Sequence, residues 1–335
     1  MIPIVNTSHD PHFNLALEEY AVRYLDPAHN YLILWQNSPA VIIGRYQNTA
    51  EEVHQLYLAE HQIAVVRRLS GGGAVYHDMG NLNFSLIVST QGQSFNDFRS
   101  FTLPVIETLA HYGVKAELSS RNDITIEGQK FSGNAQYRTA HHLLHHGTIL
   151  FDSDLDVVSQ VLNVRQDKIA SKGIKSVRSR VTNIKPYLPK DVTLEAFSAT
   201  LATIIGSHNQ GLEPAYAWSP QDQAAVMDLV ARRYGTWDWN WGKSPAFNLT
   251  AHEKFAQGSI DVRLFVEDGI IHACRIYGDF LGQRDIHEFE AALIQQRYQL
   301  DTVAPILEAL PIEEYFGAIS RQEVLQVLFD TSPAQ

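Results

Sequence analysis

Arg67-Arg68-Leu69-Ser70-Gly71-Gly72-Gly73-Ala74-Val75-Tyr76-His77-Asp78 follows a run of strand formers, Ile63–Arg67, and precedes another, Leu82–Val88. Three successive glycines between strands let a backbone adopt positive φ and approach a ligand closely. Their N–H groups can cradle an anion, and Arg68 and Ser70 add a charge and a hydroxyl at the same place. The loop lacks the Gly-Lys-Ser/Thr of a Walker A motif. It is no dinucleotide fingerprint either, because strand formers rather than a helix follow it. A plain hairpin turn is the competing reading, and the flanking arginines favour an anion site.

Outward from this loop, apolar Phe13, Leu17, Tyr20, Ala21 and Tyr24 fall at helical spacing and predict a helix over Phe13 to Leu25. Strands are expected at Tyr31–Trp35, Val41–Ile43, Asp123–Ile126, Gln129–Ala135 and Gly147–Phe151, with a hairpin at Glu127-Gly128. Helices are expected at Glu51–His61, Phe98–His111, Leu155–Leu162, Leu194–Ile205 and Gln221–Tyr234. Beyond Trp237-Asp238-Trp239-Asn240-Trp241 lies Gly242-Lys243-Ser244-Pro245, where a domain boundary is placed. A strand pair, Gly258–Glu267 and Ile270–Tyr277, and further helices ending at Arg321–Phe329 make a small α+β second domain. At about 100–200 residues per domain, the 335-residue length agrees with two domains. No internal repeat is apparent.

The formal net charge of -11 argues against a whole-surface nucleic-acid binder. It conceals a basic segment. Between Arg165 and Lys185, seven Lys/Arg residues face one acid, Asp167, a local excess of +6, whereas the chain from Lys254 onward carries six basic and thirteen acidic residues. The basic segment is either a solvated loop or an attractor for an anionic group, and its interleaved Ser171, Gly173, Ser176, Ser179 and Thr182 supply flexibility and phosphate hydrogen bonds. A single cysteine, Cys274, excludes an internal disulfide framework and confines thiol chemistry to one position. The N-terminus lacks a basic, apolar targeting segment, and no stretch approaches the about 18 apolar residues of a membrane span, so a cytoplasmic protein is expected, with neither nucleic acid nor membrane as a partner.

The run Arg67 to Ser85 resembles the signature of lipoate–protein ligases, and further motifs follow in order. Arg121-Asn122-Asp123-Ile124 resembles a strand entry of that family, and Gly128-Gln129-Lys130-Phe131-Ser132-Gly133-Asn134-Ala135 resembles its lysine motif. His145-His146-Gly147-Thr148-Ile149-Leu150 is similar to its HHGT strand. Lys172 to Asn183 is similar to its adenylate-binding loop. Phe13 to Ala16 with Glu18-Glu19, Gly44-Arg45 with Gln47-Asn48, and Trp239-Asn240 to Phe247-Asn248 extend the match over nearly the whole chain. The resemblance implies a large mixed-sheet α/β domain over 1–246, similar to biotin ligases and class II aminoacyl-tRNA synthetase cores. A small α+β accessory domain over 247–335 would follow it.

It also implies an activity: free lipoate is activated with ATP and Mg2+ to lipoyl-AMP. The lipoyl group then passes to a lysine of an acceptor lipoyl domain, in a 2-oxoacid dehydrogenase E2 subunit or the glycine cleavage H protein. Lys130 would be the catalytic residue. Taken alone, it reads as a surface lysine; the motif around it reverses that. Arg68, Ser70, Gly71 and His146 would bind lipoate. Gly72, Gly73, Ala74, Val75, Tyr76, Asn81, Gly133, Asn134, Gly147 and Thr148 would hold the adenylate together with Lys130, Lys172 would lie in a loop that closes over it, and Asp123 would be the Mg2+ ligand.

Three alternatives stay beside this expectation. An octanoyl or lipoyl transferase would need a cysteine nucleophile, and Cys274 lies in the second domain. A non-catalytic lipoate-binding protein has no need of Lys130. A zinc site in the cluster His141, His142, His145 and His146 lacks a paired carboxylate at zincin spacing, and no zinc is expected. The tryptophans at 237, 239 and 241 suit packing better than ligand stacking.

Overall fold

In a computed structural model of the chain, residues 1–47, 49–90, 97–119, 122–162, 181–241, 249–267, 270–298, 300–329 and 332–333 are described. They form two compact units. The first is Met1–Ile43, Ala50–Arg67 and Ala74–Asn240; the second is Gly44–Thr49, Arg68–Gly73 and Trp241–Gln335.

The strands of the first unit are β1 (Ile2–Pro3), β2 (Tyr31–Trp35), β3 (Ala40–Ile43), β4 (Ala64–Arg67), β5 (Val75–His77), β6 (Asn81–Ser89), β7 (Glu117–Ser119), β8 (Asp123–Ile126), β9 (Gln129–Arg138) and β10 (His142–Leu150). Seven of them make one sheet in the order β1-β2-β6-β10-β9-β8-β7, antiparallel except for β1 with β2. A second, three-stranded sheet runs β4-β3-β5, with β3 parallel to β4 and antiparallel to β5. The fold is mixed α/β.

Side chains alternate across a strand, so β6 decides what each face of the large sheet meets. Leu82, Phe84, Leu86 and Val88 point into an apolar cluster. It includes Phe101, Val105 and Leu109 of the helix Phe98–His111 and Phe197, Leu201 and Ile205 of the helix Leu194–Ser207. The intervening Asn81, Asn83 and Ser85 face the other way and are equally buried. That polar face takes the helix Pro11–Tyr24, which starts at Asp10, whose side chain accepts from the His12 N–H, with Pro11 at the first helical position. Glu18 of this helix reaches the sheet, where Ser85 Oγ donates to it at 2.5 Å. Its neighbour Glu19 accepts from Arg23 Nε at 2.8 Å and Arg233 Nη1 at 2.5 Å. Both carboxylates are 2% exposed, so these partners are what makes their burial tolerable.

The second unit carries a four-stranded antiparallel sheet, β13-β12-β11-β14, formed by β11 (Leu249–Phe255), β12 (Gly258–Glu267), β13 (Ile270–Gly278) and β14 (Ser332–Pro333). The helices Ile286–Leu293, Leu300–Ala309, Ile312–Phe316 and Arg321–Phe329 accompany it around a core of Ile260, Leu264, Cys274, Phe289 and Phe316. Buried Glu290 accepts from the Ile276 N–H of β13 at 2.8 Å and from Arg275 and His287, which satisfies a carboxylate in that core. No helix among the described residues is long and apolar enough to cross a membrane.

Two local expectations change. The single helix over Glu51–His61 is two, Thr49–Glu52 and Gln55–Glu60. Between them Val53 bridges to Leu162 and the His54 N–H donates to Val161 O at 3.1 Å, so tertiary pairing takes backbone groups the continuous helix would need. The last strand of the large sheet begins at His142 rather than Gly147, because its first residues pair with Ser89 and Val88 of β6. The tryptophan-rich stretch is a helical turn, Trp237–Asn240, in which Trp239 Nε1 donates to Arg67 O at 2.8 Å and Asn240 Oδ1 accepts from the Arg67 N–H. The boundary expected near Ser244-Pro245 lies outside the described residues.

Candidate functional site

The polar face of the large sheet gathers several of the residues singled out from sequence. Ladder pairs place His146 beside Ser85, Thr148 beside Asn83, and Asp123 beside Gly133. Lys130 Nζ lies 2.7 Å from Asp123 Oδ1, and the Gly133 N–H donates to Thr148 Oγ1 at 3.2 Å. A Cβ on Gly133 would come within 2.9 Å of Lys130 Nζ, so the missing side chain is the space through which the lysine crosses. The Lys130 and Asp123 side chains are 37% and 30% exposed. An ion pair in that setting contributes about 0–1 kcal/mol, so the ammonium can leave Asp123 for a stronger anion at little cost. Lys130 also bridges to Val181, and its carbonyl accepts from the Thr182 N–H at 2.9 Å, so the chain leaving the basic segment is anchored at this lysine. Lys172 itself lies outside the described residues.

His146 is held from behind. Its Nδ1 lies 2.9 and 3.1 Å from the two carboxylate oxygens of Glu18, which also accepts from Ser85, and Ser85 in turn accepts from Trp35 Nε1 at 2.8 Å. The carboxylate orients the imidazole by accepting a hydrogen bond from Nδ1–H. Sequence reading matched Glu18-Glu19 as a motif without giving Glu18 a role; the available signal was a pair of acids directly after the apolar run Leu15–Leu17. Asn81 is fully buried. Its amide donates to Asn83 Oδ1 at 2.9 Å, and its own Oδ1 has no hydrogen-bond partner among the described residues. Ala74 precedes β5, where Val75 pairs with Ile42 and Tyr76 with Val41. Burial and the nearby Asp78 push the Tyr76 hydroxyl up to about 12.

Two residues expected at this face do not present side chains to it. Asn134 points to the opposite face and is 3% exposed, and Gly147, its ladder partner, has no side chain because a Cβ there would fall 2.2 Å from Asn134 Oδ1. The histidine cluster does not converge. His142, His145 and His146 lie on one strand, with His145 and His146 directed to opposite faces, and no group of three or more His, Cys, Asp or Glu that could hold a metal occurs among the described residues.

The glycine loop belongs to the second unit. Arg68 is buried in it as a brace: Nε donates to Ser70 Oγ at 3.1 Å, and Nη2 to Gly71 O at 2.7 Å and Gly73 O at 2.8 Å. The three glycines are not equivalent. A Cβ on Gly71 would sit 2.3 Å from Phe280 O, Gly72 has φ +94°, and a Cβ on Gly73 would meet nothing within 4 Å among the described residues beyond its chain neighbours. Gly44 is as constrained as any of them, since its Cβ would meet Gly72 O at 1.9 Å. Arg68, Ser70 and Gly71–Gly73 therefore sit in one unit, and Lys130, Asp123, Gly133, His146, Thr148 and Asn81 in the other.

Cys274 is fully buried in β13, and burial with the nearby Glu290 pushes its thiol far above the ordinary range. A thiolate nucleophile is disfavoured there. Cys274→Ala is expected to leave the protein folded and its activity within about twofold of wild type, since the substitution removes only a small buried sulfur; loss of activity in a folded variant would contradict this.

Residues 10–206 match the family model described as the lipoyl protein ligase A/B catalytic domain, and residues 244–328 match that of the bacterial lipoate protein ligase C-terminus. The chain is 47% identical to the lipoate-protein ligase LplJ of Bacillus subtilis over 96% of its length and 97% of that protein. Among solved structures, it is similar to LipL1 of P. falciparum in complex with lipoate. There the TM-score is 0.79 and the identity 25%, covering 92% of this chain and 94% of that one. It is also similar to a lipoate-protein ligase A bound with ATP, with a TM-score of 0.64 and 27% identity over 72% of this chain and 98% of that one.

Proposed function

The chain belongs to the lipoate–protein ligase family, and from that premise we propose that it converts free lipoate and ATP to lipoyl-AMP and then transfers the lipoyl group to a lysine of an acceptor lipoyl domain. The observation that carries the reading is Lys130: a lysine on the polar face of a sheet, crossing a glycine, and held by a carboxylate it can leave cheaply. In the first step a lipoate carboxylate oxygen attacks the α-phosphorus and pyrophosphate departs. Both reactants are anionic, and a fixed ammonium between them stabilises the charge that crowds together in the transition state. In the second step the acceptor ε-amine attacks the anhydride carbonyl, forming an amide and releasing AMP.

Arg68, Ser70, Gly71 and His146 take lipoate in this reading. Gly72 to Tyr76, Asn81, Gly133 and Thr148 take the adenylate together with Lys130, and Lys172, outside the described residues, is assigned to it from sequence alone. Asp123 is a part-exposed carboxylate, which suits Mg2+, a hard ion that keeps substrate oxygens and water as its other ligands. When bound, Mg2+ neutralises phosphate charge. The ATP-bound relative supports the nucleotide, the lipoate-bound relative supports the acid, and acceptors of the 2-oxoacid dehydrogenase E2 or glycine cleavage H type are the partners proposed, in the cytoplasm.

Lipoate-dependent ATP–pyrophosphate exchange tests the reading. Exchange that requires lipoate and Mg2+ is the expected result. A cysteine-dependent transferase shows none, and a lipoate-binding protein shows affinity without exchange.

A further inference from the structure

On the face of the large sheet that meets the helix Phe98–His111, a buried polar chain crosses an apolar layer. His145 is fully buried, its ring stacked on Phe101 with centroids 4.8 Å apart and planes within 12°. Gln136 Nε2 lies 3.1 Å from His145 Nδ1 and also donates to Asp97 O at 3.3 Å. An amide NH2 can only donate, so Nδ1 accepts and the imidazole proton sits on Nε2, which faces Asn134 Oδ1 at 3.3 Å. Burial and the neighbouring His146 hold the ring uncharged.

Asn134 passes the constraint on. Its Nδ2 donates to Asn122 O at 3.0 Å and Ser132 Oγ at 3.2 Å, its backbone N–H donates to the same Asn122 O at 3.0 Å, and Asn122 Nδ2 returns a bond to Asn134 O at 2.6 Å. Three hydrogen bonds thus clasp Asn122, and the next ladder pair is Asp123 with Gly133. Gly147 admits the Asn134 amide, because any Cβ there would collide with it. Buried polar groups are costly unless satisfied, and a saturated network specifies one arrangement.

We propose that His145, Asn134 and Asn122 form a positioning chain that holds Asp123 against Lys130 and Gly133, with Asn134 acting through Asp123 and making no contact with the nucleotide. The inference rests on the roles given above to Lys130 and Asp123. It reassigns a residue of the lysine motif from the ligand to the scaffold and gives a role to His145, which the ligase reading leaves unused.

Asn134→Leu removes the clasp at similar volume, and His145→Phe keeps the ring stack while removing the donor. Both are expected to fold and to bind lipoate and metal-free ATP within about twofold of wild type. Exchange falls about tenfold or more in Asn134→Leu, with a matching rise in the Mg2+ concentration for half-maximal rate, and falls less in His145→Phe. In an Asp123→Asn background, Asn134→Leu adds no further loss, because the pair acts as one unit. Weaker binding of metal-free ATP by about tenfold in Asn134→Leu, full additivity with Asp123→Asn, or unchanged exchange would overturn the proposal. Wild-type protein without exchange overturns the ligase reading instead. The chain is then judged by hydrogen exchange of the Asn134 amide in His145→Phe, where about tenfold lower protection supports it and unchanged protection overturns it.

Discussion

Lys130→Ala is expected to lower lipoate-dependent ATP–pyrophosphate exchange by about 10²–10³-fold or more, the loss typical of removing one pre-positioned charge from a transition state. The same variant should unfold at nearly the wild-type temperature. Its ion pair with Asp123 is part-exposed and contributes about 0–1 kcal/mol, and the carboxylate left behind is reached by solvent. A stable, inactive protein separates chemistry from scaffold. Lys130→Arg is not a rescue, since a planar guanidinium differs in shape and hydration from an ammonium and must cross the same narrow space over Gly133. Near-normal exchange in Lys130→Ala would sink the assignment, and joint loss of activity and melting temperature would make the lysine structural.

Gly44→Ala is expected to weaken lipoate binding by about 5- to 150-fold, the affinity equivalent of the strain if it falls on the loop that binds the ligand. The added Cβ would lie 1.9 Å from Gly72 O, and its obstacle is backbone, which cannot swing aside as a side chain would. The Gly44 N–H is already committed to Gln47 Oε1 at 2.8 Å, so the strain passes to the loop Arg68–Gly73. Overpacking of this kind costs about 1–3 kcal/mol. Gly73→Ala is the control. It sits in the same loop, its Cβ would meet nothing within 4 Å among the described residues beyond its chain neighbours, and it is expected to bind lipoate about as the wild type does. Calorimetric titration of both variants checks the pair. Equal affinities would mean that the loop's position does not matter for the ligand.

The three glycines show what was legible from sequence. A triple glycine announces a backbone of unusual freedom, but not which glycine needs φ +94°, which avoids Phe280 and which meets nothing, since each answer depends on a neighbour distant in the chain. Asn134 shows the same limit from another side. Its motif marks it, while the alternation along β9, counted from the ladder with β10, turns it away from Lys130. The helix expected over Glu51–His61 failed because Leu162 and Val161 compete for its backbone, a contact across a hundred residues.

The sequence by itself determined the family, the presence of five of the seven strands of the large sheet, the lysine with the glycine beside it, and the confinement of cysteine to the second domain. These are properties of local pattern and residue type, which the order of side chains carries directly. Only the tertiary structure decided that Glu18 backs His146, that Arg68 braces its own loop, that this loop belongs to the second unit, and that Cys274 is sealed in a core. Each is set by pairing between distant segments, where burial and hydrogen-bond satisfaction choose among partners the local pattern leaves equivalent.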